Sequence, residues 1–166
     1  MAGLEAYVKF FHIPDAKDEG VNVGWFEDQK YTDGTSIAQV ARWNEFGTKA
    51  GIPQRPFMQR SMFENEKKWI EILRTLVQRE LDKGKHADID KALKQFGEIA
   101  KGDIQKTILA GGFKQNSKIT IEGGWMRNKT TGKPFYVKGK GKGKLPLIDT
   151  GIMISSIQSR TDRELM

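Results

Sequence analysis

The residues best placed to do chemistry stand at positions 147–151, where Leu147-Ile148-Asp149-Thr150-Gly151 reproduces the local pattern of an aspartic protease. In such enzymes two aspartates, one per subunit of a dimer, share a proton and activate a water. That chemistry needs a substantial β-rich region after the aspartate, including a later apolar-apolar-glycine element. Only 15 residues follow Gly151. The expectation is therefore structural: Asp149 or Thr150 caps a short helix beginning at Gly151.

Other chemical patterns fail on spacing. The Gly/Lys tract 138–144 does not fit the phosphate-binding G-x-x-x-x-G-K-[ST] loop, because Leu145 follows Lys144 where Ser or Thr is required. His12 and His86 have no neighbouring Ser or carboxylate constellation and are too few for a zinc cluster. With no cysteine there is neither a disulfide scaffold nor a thiolate metal site. Asn128-Lys129-Thr130 satisfies a glycosylation sequon, but the start Met1-Ala2-Gly3-Leu4-Glu5 lacks the basic and apolar regions of a secretory signal, so the match is read as chance. The chain is expected to stay in the compartment where it is made, and neither a catalytic residue, a metal nor a cofactor is expected.

Charge is concentrated in one place. Residues 112–144 contain nine Lys/Arg (Lys114, Lys118, Arg127, Lys129, Lys133, Lys138, Lys140, Lys142, Lys144) against the single acid Glu122, whereas the rest of the chain carries 19 basic and 20 acidic residues. The overall +7 thus belongs to one arm, as in an electrostatic binding segment. Trp125, Phe135 and Tyr136 are interleaved with these cations. They could stack on bases while the cations track phosphates, or close an apolar patch under a hairpin or in a neighbouring subunit. Contact of the lysines with duplex phosphate needs no stacking at all.

The elements that must hold this arm follow from periodicity. At 166 residues, with 37% hydrophobic and 30% charged residues and no apolar run near a membrane span, one domain covering 1–166 is expected, with 112–144 as an arm within it. Residues 4–10 and 21–26 read as two strands of a hairpin. Ser36, with Gln39 three residues on, caps a helix over 37–46 ended by Gly47, with Ile37, Val40, Ala41 and Asn44 on one face. Pro56 opens a long amphipathic helix to about Asp82, and Asp88 caps a third, with apolar positions from Ile89 to Ile108 and an end at Gly111-Gly112. Residues 119–121 read as a short strand, 125–127 and 135–137 as a hairpin, 138–144 as an extended tract, and 152–163 as a helical turn and a last strand. The fold class is α+β: a small antiparallel sheet packed by two long helices and one shorter one, with a basic hairpin inserted before the last turn and strand.

The segment Tyr31–Thr48, followed by Ile52-Pro53-Gln54-Arg55-Pro56-Phe57-Met58, resembles tailed-bacteriophage neck and tail-completion proteins (virion morphogenesis, minor tail protein Z-like). Pro146-Leu147-Ile148-Asp149-Thr150-Gly151, with Met153 and Ser155-Ser156-Ile157, is similar to the same family's C-terminal signature. The two matches occur in the family's order, and residues 123–144 fall where its members carry a shorter link. The resemblance implies a structural subunit forming a ring, usually six-fold, between capsid portal and tail. It would be assembled in the host bacterial cytoplasm, located at the head–tail junction of the virion, and partnered by adjacent neck, tail-terminator or portal-side proteins. It makes the segments Asn44-Glu45-Phe46-Gly47 and Ile52-Pro53-Gln54-Arg55-Pro56-Phe57 structural corners or subunit contacts, and Trp43, Phe46, Arg55, Phe57, Trp125, Phe135 and Tyr136 candidate subunit contacts, with Arg55 a candidate for an ion pair between elements. Arg127, Lys129, Lys133, Lys138, Lys140, Lys142 and Lys144 become candidates for contact with genomic duplex DNA or a protein partner. The alternative is a nucleic-acid-binding module that uses the arm and its aromatics directly.

Overall fold

In the computed structural model, which describes residues 20–49, 51–128, 130–139, 147 and 151–165, helix α3 (Ile89–Ala110) is the element on which the others are laid. Its apolar residues recur every three or four positions, so Ala92, Leu93, Phe96, Ala100, Ile104 and Ile108 form one buried stripe. Asp88 starts it, its side chain accepting a hydrogen bond from the Lys91 N–H. Helix α2 (Phe57–Leu81) packs along α3, burying Trp69 and Leu73, with the Trp69 ring edge-on to Phe96. Asp103 ties the two helices: its Oδ2 accepts from Trp69 Nε1 at 2.9 Å and Lys68 Nζ at 2.6 Å.

The other face of α3 carries a two-stranded antiparallel sheet, β1 (Val21–Gly24) against the C-terminal strand β4 (Gln158–Thr161), in the register Val21↔Thr161 to Gly24↔Gln158. Gly97 makes this close approach possible, because a Cβ there would stand 2.7 Å from Ser159 Cβ and 2.9 Å from Val21 Cγ2. Helix α1 (Ile37–Phe46) is capped by Ser36, whose Oγ accepts from the Gln39 N–H. It lays Ile37, Ala38 and Ala41 into the same core as Trp25, Phe57 and Met153.

A second two-stranded sheet, the hairpin β2 (Gly123–Arg127) and β3 (Pro134–Lys138), follows the short helix α4 (Lys118–Glu122). The chain ends in the helical turn α5 (Ile152–Ser155), β4 and the turn α6 (Asp162–Leu165). Trp25 Nε1 donates to the Met153 carbonyl and Gln29 Nε2 to that of Ser156, both at 2.6 Å, so α5 is pinned from the N-terminal side of the chain.

The α+β class and the three main helices therefore agree with the sequence reading. Among the described residues the small antiparallel sheet is β1–β4, and the inserted hairpin forms a two-stranded sheet of its own, as expected. Two details differ. Residues 119–121 are helical: β-branched alternation over three residues is too short to hold a strand, and Ser117 and Gly123 bracket one turn, with Thr120 and Ile121 N–H both bonded to the Ser117 carbonyl. On α1 the buried face runs through Ile37, Ala38, Ala41 and Glu45, with Val40 and Asn44 at its margin. The expected strand 4–10, His12, and the cap residues Asp149 and Thr150 lie outside the described residues; Gly151 occupies the N-cap of α5.

Candidate assembly interface

The segment joining α1 to α2 is a corner locked by buried polar groups. Gly47 ends α1 with φ 70°, and a Cβ at that position would stand 2.9 Å from the Gln54 N and 3.0 Å from the Ile52 carbonyl oxygen, so the turn requires glycine. Helix α2 begins at Pro56 without a cap of its own. Its exposed donors are satisfied instead from α1: the carboxylate of Glu45, buried, accepts from the N–H groups of Met58 at 2.9 Å and Gln59 at 3.1 Å. Burial pushes the Glu45 carboxyl above its ordinary pKa, opposed by these backbone donors.

Arg55 is the second lock. Its Nε donates to the Lys114 carbonyl at 2.6 Å, and its two terminal nitrogens donate to Asn44 Oδ1 and Asn116 Oδ1, each at 2.7 Å. Desolvation lowers its pKa. Among the described residues the guanidinium's bonds all go to neutral amide and carbonyl oxygens of α1 and of the 114–116 segment, with no ion pair. Next to it Arg60 donates to the Gly111 carbonyl at 2.8 Å and lies over the Phe113 ring. The base of the basic arm is therefore clamped to the α1–α2 corner by two arginines.

From this base the arm rises through α4 into the hairpin. The turn is formed by Asn128, whose Oδ1 accepts from Thr130 and Thr131 N–H, while Gly132 takes φ 69°. The sequon asparagine is thus a turn former. Strand alternation puts Trp125, Arg127, Tyr136 and Lys138 on one face and Met126, Phe135 and Val137 on the other. The second face rests at its base on Ile119 of α4, which a Cβ at Gly124 would touch at 3.6 Å. The first is open to solvent: Trp125 is 72% and Tyr136 58% exposed, and the rings meet edge-on with centroids 5.6 Å apart. Arg127, Lys133 and Lys138 are exposed around them.

The candidates named from sequence thus divide. Trp125, Phe135 and Tyr136 are brought together on the hairpin with Arg127, Lys133 and Lys138. Trp43 and Phe46 lie half-exposed on the outer side of α1. Arg55 and Phe57 do not reach the surface: Phe57 is fully buried, edge-on to Trp25, and Arg55 is 3% exposed, so both are committed within their own chain. Lys129, Lys140, Lys142 and Lys144 lie outside the described residues. Sequence reasoning placed Glu45 only within a corner segment, with no role for its carboxylate, and missed Asn116. Glu45 had a signal, standing four and eight residues after Ala41 and Ile37 on the core side of the helix, where a carboxylate must find donors.

Elsewhere, a shallow cleft of about 340 Å3 between α3 and β4 is lined by Glu98, Lys101, Gln158, Ser159, Arg160 and Glu164. Its charges are paired: Lys101 with Glu98, Arg160 with Asp28, and Glu164 with Lys94. Among the described residues no cluster of His, Asp or Glu could hold a metal ion, and no helix is long and apolar enough to cross a membrane. Compared with models of protein families, with curated proteins and with solved structures, the chain finds no match.

Proposed function

We propose that this chain is a non-enzymatic assembly subunit of the neck of a tailed bacteriophage, part of a ring at the head–tail junction through which DNA passes, with the basic hairpin as its contact arm. The observation that carries the reading is the hairpin itself. Its cations and large aromatic rings take no part in the core, and its base is clamped by Arg55 and Arg60, so it is positioned to engage something else. The resemblance in residues 31–58 supports a phage neck as that assembly, and the interlocking of Asn44, Glu45 and Arg55 gives those residues a structural reason to be there. Ring closure requires non-covalent surfaces between copies, and the half-exposed Trp43 and Phe46 are candidates for them. The virion would be its location and the host bacterial cytoplasm its place of assembly.

The test is to locate the chain in particles. Gold-labelled antibody against it, applied to purified virions and imaged by electron microscopy, is expected to mark the head–tail junction. Label on the capsid shell or tail fibres, or none on intact or partly disrupted particles, would contradict the reading. A second reading is favoured by one specific arrangement, the Trp125–Tyr136 face flanked by Arg127 and Lys138, which suits stacked bases beside phosphates. On that reading the chain is a nucleic-acid-binding module without a ring.

A further inference from the structure

Helix α2 has a second face that the other described residues leave largely uncovered. Its core side carries Phe57, Ser61, Trp69, Leu73 and Glu80. Beside them, roughly a third of a turn round the helix, Gln59, Phe63, Glu66, Ile70, Arg74, Val77 and Leu81 follow one another at intervals of four and three residues, which aligns them along a single stripe about 33 Å long. Phe63 is 88% exposed, the most open of the large apolar side chains among the described residues, and Leu81 is 52% exposed. Ile70 is half-buried at the middle, and Val77 reaches from the stripe toward the core. Glu66 and Arg74 are exposed, and neither forms an ion pair among the described residues.

We propose that this face binds a second copy of the same chain, the two α2 helices packing antiparallel about a two-fold axis at Ile70. In that arrangement a residue a given number of positions after Ile70 in one copy faces the residue as many positions before it in the other. Phe63 then meets Val77, Glu66 meets Arg74, Gln59 meets Leu81, and Ile70 meets itself. Each contact occurs twice except that of Ile70 with itself on the axis, as an isologous interface demands. The pattern of charge selects the occupant. Read backwards through Ile70 the stripe complements itself, acid opposite base and ring opposite aliphatic, whereas a parallel pair would set Glu66 against Glu66 and Arg74 against Arg74. The contact closes at two copies, so it is separate from any head-to-tail surface of a ring and does not rest on the neck reading.

The experiment is sedimentation equilibrium on the full chain and on Glu66→Arg, Arg74→Glu and Phe63→Glu, with circular dichroism to establish that each variant is folded; all three positions are exposed, so the fold is expected to survive. The wild type is expected to dimerise, Phe63→Glu to be monomeric, and each charge reversal, which creates two like-charge contacts, to weaken the dimer by roughly tenfold or more. An equimolar mixture of Glu66→Arg and Arg74→Glu should recover the wild-type affinity, because in the mixed dimer positions 66 and 74 again carry opposite charges at both contacts. A monomeric wild type, charge-reversed variants that dimerise as well as the wild type, or a mixture that stays apart would each overturn the proposal.

Discussion

Arg55 shows how much of the corner depends on single side chains. It spends its donors on Asn44, Asn116 and the Lys114 carbonyl, and a methionine of similar length would leave those oxygens without partners in a largely buried place. Arg55→Met is expected to cost about 2–4 kcal/mol in urea-induced unfolding. A cost below roughly 0.5 kcal/mol, the level of an ordinary surface substitution, would mean that the corner is held elsewhere. Asp103 gives a pH dependence. Burial opposes its ionisation, but hydrogen bonds from Lys68 and Trp69 more than offset this, and the carboxyl is held below its ordinary 3.8. Because the folded-state pKa is depressed, its contribution to stability is present above that ordinary value and is lost as pH falls through the folded one. In Asp103→Asn the acid limb of the stability–pH profile should be shallower than in the wild type; an unchanged limb would assign acid sensitivity to other groups. Glu45 has the opposite sign: with its pKa raised, the folded state takes up the proton first, so its titration opposes that limb.

At the scale of elements, the hairpin is where structure and contact chemistry meet. Its open face pairs Trp125 with Tyr136 between Arg127 and Lys138. If bases stack there, Trp125→Ala should weaken single-stranded DNA binding by about 1–3 kcal/mol, whereas pure phosphate contact leaves Trp125 neutral and makes binding to duplex fall steeply with salt. Fluorescence titration at two salt concentrations separates the two. The main helices were legible from sequence because each announces itself locally: Ser36 and Asp88 as caps, apolar spacing through α2 and α3, Gly47 and Gly111 as ends. The hairpin was legible from two short alternating runs around Asn128 and Gly132. The pairing of β1 with β4 was not, since the two strands are separated by most of the chain and nothing local encodes their register. Nor was the burial of Arg55, whose acceptors Lys114 and Asn116 arrive from a distant segment. Residues 119–121 were misread because a run of three supports either structure and Ser117 and Gly123 decide it.

For the whole molecule, the arrangement is a helical body, α2 on α3 with the β1–β4 sheet behind, from which one charged arm departs at a clamped base. The body is electrically near neutral and the arm strongly positive, so the arm dominates long-range attraction to any anionic surface. That division suits the proposed assembly role, in which a stable domain keeps its own fold while a separate element engages the next component. On the proposed role the arm is needed for joining and dispensable for folding. On the proposed neck reading, the direct measurement is electron microscopy of particles made when the chain's gene in a phage genome lacks residues 124–137 and carries a short Gly/Ser link, with the variant protein shown to unfold at the wild-type temperature. DNA-filled heads and separate tails are the expected result; joined, infectious particles in normal yield would contradict it.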